Sequence, residues 1–143
     1  MTGITHAEVV ATADDGVSDV QSSDWNDPHL GGLLNTGGGR DLVSTVAAAG
    51  STETLDLAAG NVHDVTLNAD CTFTFAGAAT GFLCTLVLIL RQNGTGGWDA
   101  TWPGSVVWAG GTPPTLSLDP SAVEWLVFST VNGGTTWYGF PSA

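Results

Sequence analysis

The sequence predicts an all-β protein: an antiparallel β-sandwich or jelly-roll-like domain behind an extended N-terminal arm. Three observations carry this. The 143 residues are rich in Val, Thr, Leu and Ser and include 20 Gly and 6 Pro, the composition of short strands between tight turns. From Thr54 onward, apolar and polar residues alternate in short runs, the period of half-buried strands. Turn residues separate these runs at near-regular intervals, as in sandwiches and barrels. A chain of this length holds one domain with a substantial core rather than two.

The elements follow in order. Residues 1–50 read as an arm for docking or oligomerisation, and residues 51–143 as the β-sandwich. Thr2 to Val20 is polar and acidic with weak alternation, and Ser22 to His29 is a turn-rich cluster containing Pro28. Glycine pairs and triplets at Gly31-Gly32 and Gly37-Gly38-Gly39 punctuate the connection, and Asp41 to Gly50 fits either a short helix or a strand. Thr54-Leu55-Asp56-Leu57, Val62 to Leu67 and Cys71 to Ala76 alternate as strands, with turns at Ala58–Asn61 and Asn68–Asp70. Phe82 to Gln92 is the strongest strand, and its near-continuous apolar character predicts burial on both faces. Asn93-Gly94 and Gly96-Gly97 read as a hairpin connection. Trp98–Trp102, Val106–Trp108, Thr115–Leu118, Val123–Val131 and Thr135–Phe140 complete the series, the last two joined by a hairpin turn at Asn132-Gly133-Gly134. The repeated Leu-x-Leu pattern has no fixed period, which speaks against a repeat solenoid.

Charge excludes several functions. Fourteen Asp and Glu face two arginines, Arg40 and Arg91, with no lysine, for a net charge of −12. Nucleic-acid binding needs basic groups to meet phosphates, and a polybasic membrane anchor needs them as well, so neither partner is expected. Dense carboxylates without lysine favour a saline setting, where screening relieves their repulsion, over an ordinary acidic surface. The start, Met1 to His6, lacks the basic and apolar regions of a signal peptide, and the longest apolar run, Leu86 to Leu90, is too short to span a bilayer.

No residue pattern points to catalysis. His6, His29 and His63 are the only histidines, and His63 and Asp64, as strand neighbours, point to opposite faces. The acidic loop Asp14-Asp15-Gly16-Val17-Ser18-Asp19 lacks calcium-loop ligand spacing, so no metal or other cofactor is expected. There is no GxSxG, Walker loop or paired-glutamate motif, and the spacing of Glu53, Asp99, Asp119 and Glu124 does not support a glycosidase. Cys71 and Cys84 read either as two small core side chains or as a bridge between neighbouring strands, since no CxxC spacing or histidine pair suggests metal. The aromatics Trp98, Trp102, Trp108, Trp137 and Tyr138 read as core or interface packing, with an exposed platform for glycan as the alternative.

Two stretches resemble virion structural proteins of tailed viruses. Ser23-Asp24-Trp25-Asn26-Asp27-Pro28-His29 is similar to the Ser-Asp-Trp-Asn-x-x-His element near the start of many phage fibre and minor structural proteins. Leu57 to Phe140 resembles the C-terminal β module of tail-fibre proteins of bacterial and archaeal viruses. Its marks are Asn93-Gly94-Thr95-Gly96-Gly97, Thr101-Trp102-Pro103, Val107-Trp108 and Gly110-Gly111-Thr112-x-Pro114-Thr115-Leu116. The ending Asn132-Gly133-Gly134-Thr135-Thr136-Trp137-Tyr138-Gly139-Phe140 completes it. The resemblance implies a homotrimer on a virion, made in the host cytoplasm. Its partners would be itself, the major capsid or tail proteins and a host-surface glycan. Trp25, Asn26 and His29 would dock the arm. The departure is length: no long shaft separates the two elements, which favours a capsid decoration, turret or short spike over a long fibre. With the acidic composition, it points to a tailed virus of a halophilic archaeon.

Overall fold

The computed structural model describes residues 40–141. The chain divides at Arg40, and the unit 41–143 carries every described strand. The rest of the arm lies outside the described residues, Trp25, Asn26 and His29 with it.

The described residues form nine strands and no helix. They are β1 (Val43–Ala49), β2 (Thr52–Asp56), β3 (Val62–Leu67), β4 (Cys71–Ala76), β5 (Thr80–Gln92), β6 (Ala100–Thr101), β7 (Val106–Trp108), β8 (Val123–Asn132) and β9 (Trp137–Pro141). The undecided stretch 41–50 is therefore a strand, and β1 lies inside the residues read as an arm. A six-stranded sheet has the order β1-β3-β5-β8-β9-β7, and a three-stranded sheet the order β2-β4-β6.

The all-β class holds, but the antiparallel expectation does not. Only β5–β8 and β8–β9 pair antiparallel, whereas β1–β3, β3–β5, β2–β4, β4–β6 and β7–β9 are parallel. From β1 to β6 the chain steps from one sheet to the other and back, so each of β3, β4, β5 and β6 lies beside the strand two places earlier. These are three β-coils stacked in parallel, closed by the antiparallel β8 and β9. The coils repeat, contrary to the expectation from sequence, but without a fixed period, for a physical reason. Val43 aligns with Val62 and Thr52 with Thr72, but Val62 aligns with Val87, so the coil lengthens from 19–20 to 25 residues. Corners of unequal length hide the repeat. Side-chain alternation is the same in parallel and antiparallel strands, so it does not reveal the partner.

The turns explain the redirection. Asn68–Asp70 carries the chain into the second sheet rather than making a hairpin, and 93–99 does the same between β5 and β6. Backbone bonds between coils run around the corners: Asn68 N–H donates to Ala49 O, Thr72 N–H to Ser51 O, and Val87 N–H to Asn61 O. Like residues stack on successive coils. The Thr54 and Thr74 hydroxyls lie 2.9 Å apart, and Asn93 Nδ2 donates to Asn68 Oδ1 over the same distance. The hairpin read at Asn132-Gly133-Gly134 is present, joining β8 to β9.

The core lies between the sheets. Leu55, Cys71 and Phe73 face Val65, Leu67, Leu86, Leu88, Leu126 and Phe128, all buried. A fully buried side chain of this size contributes ~1.5–3 kcal/mol. The second sheet is half as wide as the first, so aromatic rings cover the inner face of β8 and β9. Phe75 packs on Phe128 at 4.8 Å and edge-on to Trp137 at 5.2 Å, while Trp102 meets Phe128 at 5.6 Å. Cys71 and Cys84 are free thiols, not a bridge. Cys71 takes the core role, and Cys84 is half-buried with its sulfur beside the Ala79 backbone.

Candidate functional site

Two surfaces stand out, an aromatic cleft and the outer face of the six-stranded sheet. The cleft, of about 720 Å³, opens between the β6–β7 segment and residues 111–118. Trp102 stacks on Phe73 at 5.4 Å and 15°, and meets Trp108 edge-on at 5.4 Å, so both indoles are fixed where they line the cleft. Pro103, Pro113, Pro114 and Leu116 add apolar wall, and Asp99, Thr101 and Thr115 add polar groups. The outer wall is tied to the sheet by Glu124, whose Oε1 accepts the Ser117 N–H at 3.0 Å. Trp108 is 8 % exposed and only floors the cleft, so the half-buried Trp102, with hydrogen-bonding groups at the rim, is the ring that can meet a flat, amphipathic ligand such as a sugar.

The outer sheet face follows from β5 and β8, which are apolar on both alternations. In β8, Leu126 and Phe128 point inward, leaving Val123, Trp125 and Val127 outside. Register aligns Val43, Val62, Val87, Val127 and Phe140 in one row across five strands. Ile89 and Trp125 flank it on one side, and Ser129, Tyr138 and Val107 on the other. The expected double-sided burial of β5 holds at Leu88, Ile89 and Leu90, while Phe82 and Leu83 at its start are exposed. On these rows the charged groups are Asp64 and Arg91, and they neutralise each other. Arg91 Nε lies 2.6 Å from Asp64 Oδ1, and Nη2 lies 3.0 Å from Oδ2. The hydrogen bonds and charge of Asp64 hold the Arg91 guanidinium above its ordinary range.

The sequence-predicted residues separate into different environments. Trp98 is not in the cleft: its Nε1 donates to Asn93 Oδ1 at 3.0 Å, and its backbone is clasped by the Gln92 amide. Trp102 and Trp108 share the cleft, Trp137 is buried in the core, and Tyr138 lies on the outer face. His63 and Asp64 do point oppositely, His63 into the core and Asp64 outward. Trp125, which the sequence places in or beside a strand without assigning it a face, is half-exposed on the outer face. The signal for that face was the second apolar alternation of β8, Val123-x-Trp125-x-Val127. Among the described residues no cluster of His, Cys, Asp and Glu could hold a metal ion, and no helix is long and apolar enough to cross a membrane.

The surfaces and strand order define a class by geometry alone: a short parallel β-coil module with an apolar face whose aligned rows carry one internal ion pair. Comparison with known protein families, curated proteins and solved structures returned no match.

Proposed function

We propose that this protein is a non-enzymatic structural component of a virus particle, a homotrimeric capsid decoration, turret or short spike of a tailed virus. Its partners in this reading are copies of itself and the major capsid or tail proteins. The residue patterns at 23–29 and 57–140 support it. One structural observation carries it furthest: a chain of net charge −12 keeps a broad apolar sheet face free of uncompensated charge. Such a face is costly to leave in water, and burial in an assembly removes that cost. The test is mass spectrometry and image reconstruction of purified particles, which should contain the chain in symmetry-related copies. Deleting residues 1–30 should leave a folded β unit that no longer joins particles. Absence of the intact chain from particles would sink the reading.

The cleft favours a second reading, a module that binds host-surface glycan. Trp102→Ala is a poor test because the ring packs on Phe73 in the core. Asp99→Ala, at the exposed rim, is better. Oligosaccharide titration followed by NMR should shift the Trp102 and Trp108 indole signals, with binding weakened in the variant. Unchanged indole signals across an oligosaccharide panel would reject it.

A further inference from the structure

We infer that the outer face of the six-stranded sheet is the surface on which a second copy of this chain docks. The inference deepens the assembly reading and rests on it for the existence of a self-contact, but assigns that contact to one face. Val43, Val107, Val123, Trp125, Tyr138 and Phe140 all lie on this face and are each 44–51 % exposed. Together they offer on the order of 500 Å² of apolar side-chain surface, three aromatic rings supplying more than half. That is near the upper end of what a monomer leaves uncovered, and most of the roughly 800 Å² per partner that a stable interface buries. The half-buried Val62, Val87 and Val127 between them make the face continuous rather than scattered.

Charge selects the occupant. Two copies carry −12 each and repel wherever their carboxylates meet. On the aligned rows Asp64 is the sole acid, and it is bound by Arg91 through two hydrogen bonds. On these rows a basic partner would find no unpaired carboxylate, whereas an identical copy meets them without a like-charge clash. Apolar surface then drives the contact, and the rings of β8 and β9 are its anchors.

The experiment uses the full chain. Sedimentation equilibrium should give a multimer for the wild type and a monomer for Trp125→Glu and Phe140→Glu, with far-UV circular dichroism unchanged because both positions are half-exposed. As a measurement independent of stability, a photo-crosslinker placed at position 138 should form covalent multimers, mapped by mass spectrometry to the face of another copy. A monomeric wild type overturns the inference, as does a multimer unaffected by either charge. Crosslinks to residues 1–39 of the same copy also overturn it, assigning the face to the chain's own N-terminal segment. Particle incorporation is scored separately: a chain found in particles whose face variants still self-associate leaves the assembly reading standing while this inference falls. A self-associating chain absent from particles does the reverse.

Discussion

His63 is buried on the inner face of β3 with its Nε2 lacking a hydrogen-bond partner. An unpaired buried polar atom costs about 1–3 kcal/mol, so His63→Leu, of similar size, should raise stability by ~1 kcal/mol, read from the urea midpoint. A lowered midpoint would mean that the imidazole is held by a contact worth more than its burial costs. Gly139 shows the opposite constraint. A Cβ there would fall 2.7 Å from Trp108 Cε3 and 3.0 Å from Val106 Cγ1. Gly139→Ala should therefore cost ~1–3 kcal/mol through overpacking and alter the near-UV signal of Trp108. Wild-type stability and spectrum in that variant would show that the ring moves freely. Cys71 is the third case: burial, reinforced by Glu53, raises its thiol pKa. The neutral thiol is thus the folded form, and its contribution is full below the ordinary thiol value and is lost as pH rises from there through the raised one. A thiol reagent at neutral pH should label Cys84 quickly and Cys71 only on unfolding. Two equally fast thiols would contradict the burial.

At the level of elements, most strand positions were legible and their partners were not; Thr115–Leu118, read as a strand, is irregular chain between β7 and β8. β3 and β4 match the alternation read from sequence to the residue, because one face of each is buried and a period of two records that directly. The pairing of β1 with β3, or β2 with β4, leaves no such record, since it is set by corners that turn the chain between sheets. A short polar turn such as Asn68–Asp70 looks like a hairpin until the stacked coil is seen. The same limit held for the site: Trp102 and Trp108 were visible as aromatics, but their convergence required β6 and β7 to lie in different sheets. Asn93 shows what holds a corner. Its Oδ1 accepts from Thr95 N–H, Gly96 N–H and Trp98 Nε1, while its Nδ2 reaches Asn68 on the previous coil. Asn93→Ala strips three donors of their acceptor and should cost ~2 kcal/mol, whereas Asn68→Ala loses one exposed bond and should cost under ~1 kcal/mol. Equal denaturation midpoints for the two variants would refute this division of labour.

For the whole molecule the governing quantity is charge density. Residues 40–141 carry eight carboxylates against two arginines, and Asp64 is bound to Arg91. Bringing the remaining acids together on a compact β unit stores repulsion that the extended chain largely avoids. Salt screens it: the Debye length shrinks from ~10 Å at 0.1 M to ~3 Å at 1 M, below the spacing of most surface charges. Thermal stability should therefore climb with potassium chloride over this range, by several degrees for each kcal/mol of repulsion relieved in a unit of about a hundred residues. The same screening lets two copies approach, so sedimentation should report tighter association over the same range if the outer face is the contact. The Trp125→Glu variant separates the two effects, since its fold should still gain stability from salt while its association does not return. A melting temperature that stays flat or falls with salt would instead mark the acids as an ordinary solvated surface. It would remove the saline setting from the account of this chain while leaving the coil and its face intact.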